Sequence, residues 1–146
     1  MAQKTKRTIL AVALPVAVLG ALFGYYQYNK GPMDVKNNSA IYISATELYN
    51  LFSTDSAAAL KKYSGKVLLV KGRVSSVSVN QQKEKVILLK TMIGSASINC
   101  TMEDDPGNIT VNDEVNIKGI CSGIGQGDKD LGIRGDVYLT RCFLIK

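Results

Sequence analysis

Lys66-Val67-Leu68-Leu69-Val70-Lys71-Gly72-Arg73-Val74-Ser75-Ser76-Val77-Ser78-Val79 is the stretch on which the fold turns. Leu68, Val70, Gly72 and Val74 fall on one face, while Lys71, Arg73 and Ser75 fall on the other. Alternation with period two is the mark of a half-buried strand. The phase slips at Ser75-Ser76, and Val77 and Val79 continue the apolar face only if that pair forms a β-bulge. A long strand with an internal glycine and a bulge predicts a sharp bend, the device by which a sheet closes on itself.

Downstream, shorter strands follow at regular intervals. Asn80-Gln81-Gln82-Lys83 reads as a turn, and Lys85 to Thr91 is the second strand. Ala96 to Met102 is the third, with Ile98, Cys100 and Met102 in phase, and Glu103-Asp104-Asp105-Pro106-Gly107 ends it as a turn. Glu114 to Ser122 is the fourth, with Val115, Ile117, Gly119 and Cys121 on one face. A loop rich in Gly and Asp, Gly123 to Gly135, leads to a fifth from Asp136 to Ile145. Upstream, Ser44-Ala45-Thr46-Glu47 is a capping box that opens a helix with Leu48, Leu51 and Phe52 on one side. Asp55 starts a second short helix, Ser56 to Lys62, which Ser64-Gly65 stops. The pattern predicts a mainly β (α+β) domain over residues 42–146. It is a five-stranded Greek-key barrel of the OB type, preceded by one or two short helices.

Residues 1–29 read differently. Lys4, Lys6 and Arg7 precede an uncharged run from Ile9 to Tyr26, and Tyr25, Tyr26 and Tyr28 cluster at its end. The run predicts an N-terminal transmembrane helix acting as a signal anchor. A cleaved secretory signal is the alternative, although Ala21-Leu22-Phe23 puts a bulky ring where a small residue belongs. The cations before the run keep the short tail in the cytoplasm and place the domain on the extracytoplasmic side, periplasmic or beyond. Residues 30–41, with Lys30-Gly31-Pro32 and Asn37-Asn38, read as a polar linker.

Charge and composition exclude more than they assign. Residues 1–36 carry five Lys/Arg against one acid, a balance of +4, and residues 37–146 carry 13 against 11, a balance of +2. Most of the net +6 is therefore topology signal. Between Lys61 and Lys90 there are eight cations and only Glu84 as an acid, whereas eight acids oppose three cations from Glu103 to Asp136. The chain has no histidine and no tryptophan. Without histidine the commonest general base and metal ligand is missing, and no nucleophile–base pair is evident. The expectation is a non-enzymatic protein with no cofactor and no metal; Asp128 and Asp130 read as turn residues, not calcium ligands.

Ser44-Ala45-Thr46-Glu47-Leu48-Tyr49, Ala58-Ala59-Leu60 through Tyr63-x-Gly65-Lys66, and Val70-x-Gly72-x-Val74 together resemble the tRNA-anti-like family of OB-fold domains. Val115-x-Ile117-x-Gly119-x-Cys121 and Val137-x-Leu139-x-x-Cys142 continue the resemblance, which covers roughly residues 42–146. It implies an OB barrel behind an anchor or export signal. In such a barrel the fourth and fifth strands are antiparallel neighbours. Cys121 and Cys142 are then expected to form a disulfide, given a bulge at Thr140-Arg141 that turns Cys142 inward, with Cys100 left as a free thiol. Pairing of Cys100 with Cys142 is the competitor, since strand three also borders strand five.

OB barrels bind through strands two and three and the loops joining strands one-two and four-five. The candidate ligand-binding residues are accordingly Arg73, Lys83, Lys85, Lys90 and Arg134. The expected function is a membrane-anchored binding module for a protein, glycan or anionic ligand. The alternative is a single-stranded nucleic-acid-binding protein. Against it, strands two and three contain no aromatic platform for a base, and export removes the usual nucleic-acid partners.

Overall fold

The computed structural model describes residues 2–29, 31, 33–128 and 130–146, with side chains from Leu14 onward. Lys30, Pro32 and Lys129 lie outside the described residues, as do the side chains of Lys4, Lys6, Arg7 and Ile9. The chain forms two compact units, residues 1–33 and 34–146. The first is one helix, α1 (Ala2–Tyr28), which continues through Pro15. Leu14, Val16, Leu19, Leu22 and Phe23 are all exposed on it. Among the described residues no helix is long and apolar enough to cross a membrane, so the transmembrane expectation is without structural support.

The second unit is the barrel. Its elements are β1 (Ile41–Ser44), α2 (Ala45–Thr54), α3 (Ser56–Tyr63), β2 (Val67–Val79), β3 (Lys85–Lys90), β4 (Ser97–Met102), β5 (Glu114–Ile124) and β6 (Val137–Ile145). The sheet order is β1-β2-β3-β4-β6-β5, and β5 pairs back onto β2 to close five strands into a ring. β4 and β6 are parallel, and the other barrel pairs are antiparallel. β1 is a sixth strand that the sequence reading lacks. It lies parallel to β2, Ile43 opposite Val70. Four residues running directly into a helix cap carry too short an alternation to be read.

The Ser44 half of the capping box and the Asp55 cap form. The amide of Glu47 donates to Ser44 Oγ at 3.2 Å. Asp55 serves both helices: its amide donates to Leu51 O, ending α2, and its carboxylate accepts from the Ala58 amide at 3.0 Å, opening α3. α2 then drives Leu48, Tyr49 and Phe52 into the barrel core, against Leu68, Val70, Leu89 and Ile98. The compact unit also takes in residues 34–41, which the sequence reads as linker. Val35 is buried there, and Lys118 Nζ donates to Lys36 O at 2.8 Å.

Three bulges set the register, the third at Ser122 on β5, where Cys121 faces Leu139 and Gly123 faces Tyr138. The first falls at Ser75: Val74 pairs with Leu89 and Ser76 with Leu88. Val77 and Val79 nevertheless stay exposed, because the β2–β3 hairpin overshoots the end of the barrel. The second lies on β6, where Lys118 faces Phe143 but Ile120 faces Thr140. The extra residue Arg141 takes a left-handed φ of 51°, and Cys142 turns inward to full burial. Gly119 makes room for it. A Cβ there would lie 2.5 Å from Cys142 Sγ and 3.3 Å from Thr140 O.

Gly119→Ala should therefore cost about 1–3 kcal/mol, the usual penalty for overpacking a filled core. Adding Cys142→Ala should recover part of that loss, because it removes the nearest atom. Urea denaturation of the single and double variants measures this; strictly additive losses would show that the sulfur is not the obstacle.

Candidate functional site

Alternation along the strands sorts the barrel wall into two faces. Ile87, Leu89, Ile98, Cys100, Val137 and Leu139 point inward and are buried. Outward, cross-strand register builds a transverse row: Ser76 opposite Leu88, Leu88 opposite Asn99, and Asn99 opposite Tyr138. A second row sets Ser78 opposite Val86 and Val86 opposite Thr101. The face is thus lightly polar and shallow, with one aromatic ring. Tyr138 is 41% exposed, and it lies over backbone where a Cβ at Gly125 would come 2.7 Å from Cε2. Sequence reasoning passed over Tyr138 by seeking an aromatic only on strands two and three. The signal was the parallel contact between the third and fifth strands, which brings the fifth strand's outward residues onto the same face.

The cations chosen from sequence do not share one patch. Lys85 Nζ pairs with Asp105 at 2.7 Å and donates to Gly107 O at 3.2 Å. Lys90 Nζ donates to Asn112 Oδ1 at 2.6 Å. These two lysines stand at opposite ends of β3, both held by the β4–β5 connection. Arg73 is exposed near Lys90, its backbone paired with Glu114. Lys83 is in the hairpin turn with φ 65°, its amide donating to Asn80 O. Arg134 is on the opposite side, in the β5–β6 loop beside Tyr49.

Several partners of these cations are acids. The Lys85 hydrogen bond, helped by the Gly107 amide, holds Asp105 below the usual carboxylate range. Lys71, 2.9 Å away, does the same for Glu114, with a smaller contribution from Arg73. These carboxylates favour the fold above their ordinary pKa of about 4, and that contribution fades as pH falls through their lowered values. All are at the surface, where solvent screening keeps such pairs weak.

The β5–β6 loop is built for tight backbone contact. Asp128 accepts at Oδ1 from the amides of Asp130 and Leu131, which is turn capping. Asp136 accepts from the Ser97 amide at 2.8 Å, fastening the loop to β4. The Tyr49 hydroxyl donates to Gly135 O at 3.2 Å, fastening it to α2. Burial pushes the Tyr49 phenol up; Arg134 opposes the shift and Asp136 adds to it. Among the described residues no group of acids and cysteines is arranged to hold a metal ion.

The expected Cys121–Cys142 disulfide is not formed, and all three cysteines are free and buried. The bulge that turns Cys142 inward also fixes the mismatch. Cys121 faces Leu139, while Cys142 fills the space over Gly119. Diagonal neighbours in a sheet are about 7–8 Å apart, beyond the ~7 Å reach of a disulfide. Cys142 meets Cys100 instead: that contact, then burial, raises its thiol pKa well above the usual value. Burial raises that of Cys121 as well.

Comparison with known proteins adds three findings. The family model described as tRNA_anti-like matches residues 1–130, a range that includes α1. No curated protein matches the chain. Among solved structures, one described as an aspartyl-tRNA synthetase of Leishmania major Friedlin is similar at 16% identity, over 89% of this chain and 26% of that one, with a TM-score of 0.45. The aspartyl tRNA synthetase from Entamoeba histolytica is similar at 13% identity, over 54% of this chain and 18% of that one, with a TM-score of 0.38. The chain thus spans 26% or less of the length of these two structures.

Native protein should react slowly with a thiol reagent at neutral pH, and urea-unfolded protein should show three thiols without prior reduction. Mass spectrometry after alkylation counts them. A Cys121–Cys142 disulfide in the unfolded, unreduced protein would contradict the register described above.

Proposed function

The chain belongs to the tRNA_anti-like family, and on that basis we propose that its barrel is a non-catalytic module that binds single-stranded nucleic acid. The observation that carries this reading is the row Ser76–Leu88–Asn99–Tyr138 across the outer face of β3, β4 and β6. A ring lying along a shallow face is a stacking platform for any base, and the Asn99 amide beside it both donates and accepts. In this reading Arg73, Lys83, Lys90 and Arg134 meet phosphates of an extended strand.

A second reading is favoured by α1. Its row of exposed apolar side chains, Leu14 to Phe23, supports the proposal that Ile9 to Tyr26 anchors the protein in a membrane. The cations Lys4, Lys6 and Arg7 then favour an extracytoplasmic barrel, whose ligand is a protein, a glycan or an anionic headgroup.

The full chain should bind a labelled single-stranded oligonucleotide of about twelve nucleotides, within the range one OB barrel covers, and more weakly as salt rises. Tyr138→Ala should weaken it by about 1–3 kcal/mol, the worth of one stacked base. Fluorescence anisotropy reads both. Absence of binding at low salt, or an unchanged Tyr138→Ala variant, sinks the nucleic-acid reading.

The anchor has its own test. Full-length protein should stay with the membrane through alkaline carbonate, and protease should reach the barrel only from the outer side. Release into the soluble fraction removes the second reading.

A further inference from the structure

We propose that the cleft between α2, the start of α3 and the β5–β6 loop is a second binding site, one that takes a single nucleotide. It rests on the nucleic-acid reading above and lies apart from the strand face. The cleft encloses about 320 Å³, at the small end of the range for small-molecule sites, which starts near ~300 Å³. One wall is helical: Tyr49 and Phe52, almost wholly packed into the core, with the Ser53 and Ser56 hydroxyls at the rim. Ile133 and Arg134 form the opposite wall.

The floor is glycine backbone. A Cβ at Gly127 would strike the carbonyl of Ile133, and one at Gly135 that of Gly125, so only bare main chain closes the cleft there. The Tyr49–Gly135 hydrogen bond holds the two walls together.

The lining selects the ligand class. Arg134 is the one charged residue among the described lining residues, and no acid joins it. A planar guanidinium with the Ser56 hydroxyl in the same lining suits one phosphate group, while the Ser53 hydroxyl is held by Asn50 O at 3.0 Å. The remaining surface, Ile124 and Ile133, is apolar and would be wasted on inorganic phosphate. It suits a flat heterocycle carried by the same molecule.

The cleft also connects with the strand face. Gly125 lines it and at the same time underlies the Tyr138 ring. A strand crossing Tyr138 is thus led toward the cleft, where a phosphorylated terminal nucleotide has room and an interior one would have to turn out of line.

Equilibrium dialysis of the full chain in detergent with radiolabelled adenosine 5′-monophosphate tests the site. One equivalent should bind, with adenosine and inorganic phosphate each competing at least about tenfold more weakly, as expected for loss of a charge-assisted hydrogen bond or of the base contacts. Arg134→Gln should weaken the mononucleotide by a similar factor, and Arg134→Lys should restore part of the affinity. No binding at millimolar mononucleotide, or binding unchanged by Arg134→Gln, overturns the cleft. If the oligonucleotide binds and the mononucleotide does not, the cleft proposal falls and the strand-face reading stands. If the mononucleotide binds and the oligonucleotide does not, the strand-face reading falls and the cleft is a free-nucleotide site.

Discussion

β2 is the strand on which the barrel depends, because it hydrogen-bonds to two different neighbours along its length. Val67 to Arg73 pair with β5, and Val74 to Val79 pair with β3. A single strand serves both halves of a closed sheet only if it bends between them. Here the bend uses Gly72 and the Ser75 bulge. Gly72 is pressed from the inside, where an added Cβ would meet Ala45 at 3.0 Å and Leu89 at 3.1 Å. The same missing side chain lets α2 settle over the opening and seal the core with Leu48, Tyr49 and Phe52. Closure of the sheet and placement of the helix are therefore one event.

What the sequence disclosed follows from where the determining physics resides. Alternation, capping and turn chemistry are local, so five barrel strands, the Ser44 cap and the Ser75 bulge were legible, whereas the β6 bulge entered as an assumption and the one at Ser122 was not read. Register is not local. It decided that Cys142 meets Cys100 and Gly119 instead of Cys121, and that Tyr138 joins the face of β3 and β4. Charge shows the same limit. The basic block before Lys90 and the acidic block after Glu103 look like separate fields along the chain. Folding brings part of each against the other, as in Lys85–Asp105 and Lys71–Glu114. A basic run read in isolation overstates the free positive surface, because its counterions lie 20 and 43 residues later in the sequence.

The β5–β6 loop ties together the features most relevant to binding. Asp136 fixes it to β4, Tyr49 fixes it to α2, and Gly125 supports the Tyr138 ring. Gly125, Gly127 and Gly135 admit no side chain at their close contacts, so the loop acts as a thin partition with a ring on one side and a cleft on the other. Backbone thickness alone separates the two surfaces, which makes their spacing insensitive to side-chain rotamers.

One contact at the other pole has an architectural consequence. Lys36, at the start of the compact unit, places its ammonium 4.5 Å from the ring of Phe143, near the unit's end. Entry and exit of the barrel are thus neighbours, a geometry that accommodates circular permutation and insertion as a cassette. A short bridge from beyond Ile145, the end of β6, to Lys36 would leave every strand pair intact, and new termini could open at the β2–β3 hairpin. A unit with adjacent ends can be spliced into a surface loop of a larger host without straining either partner.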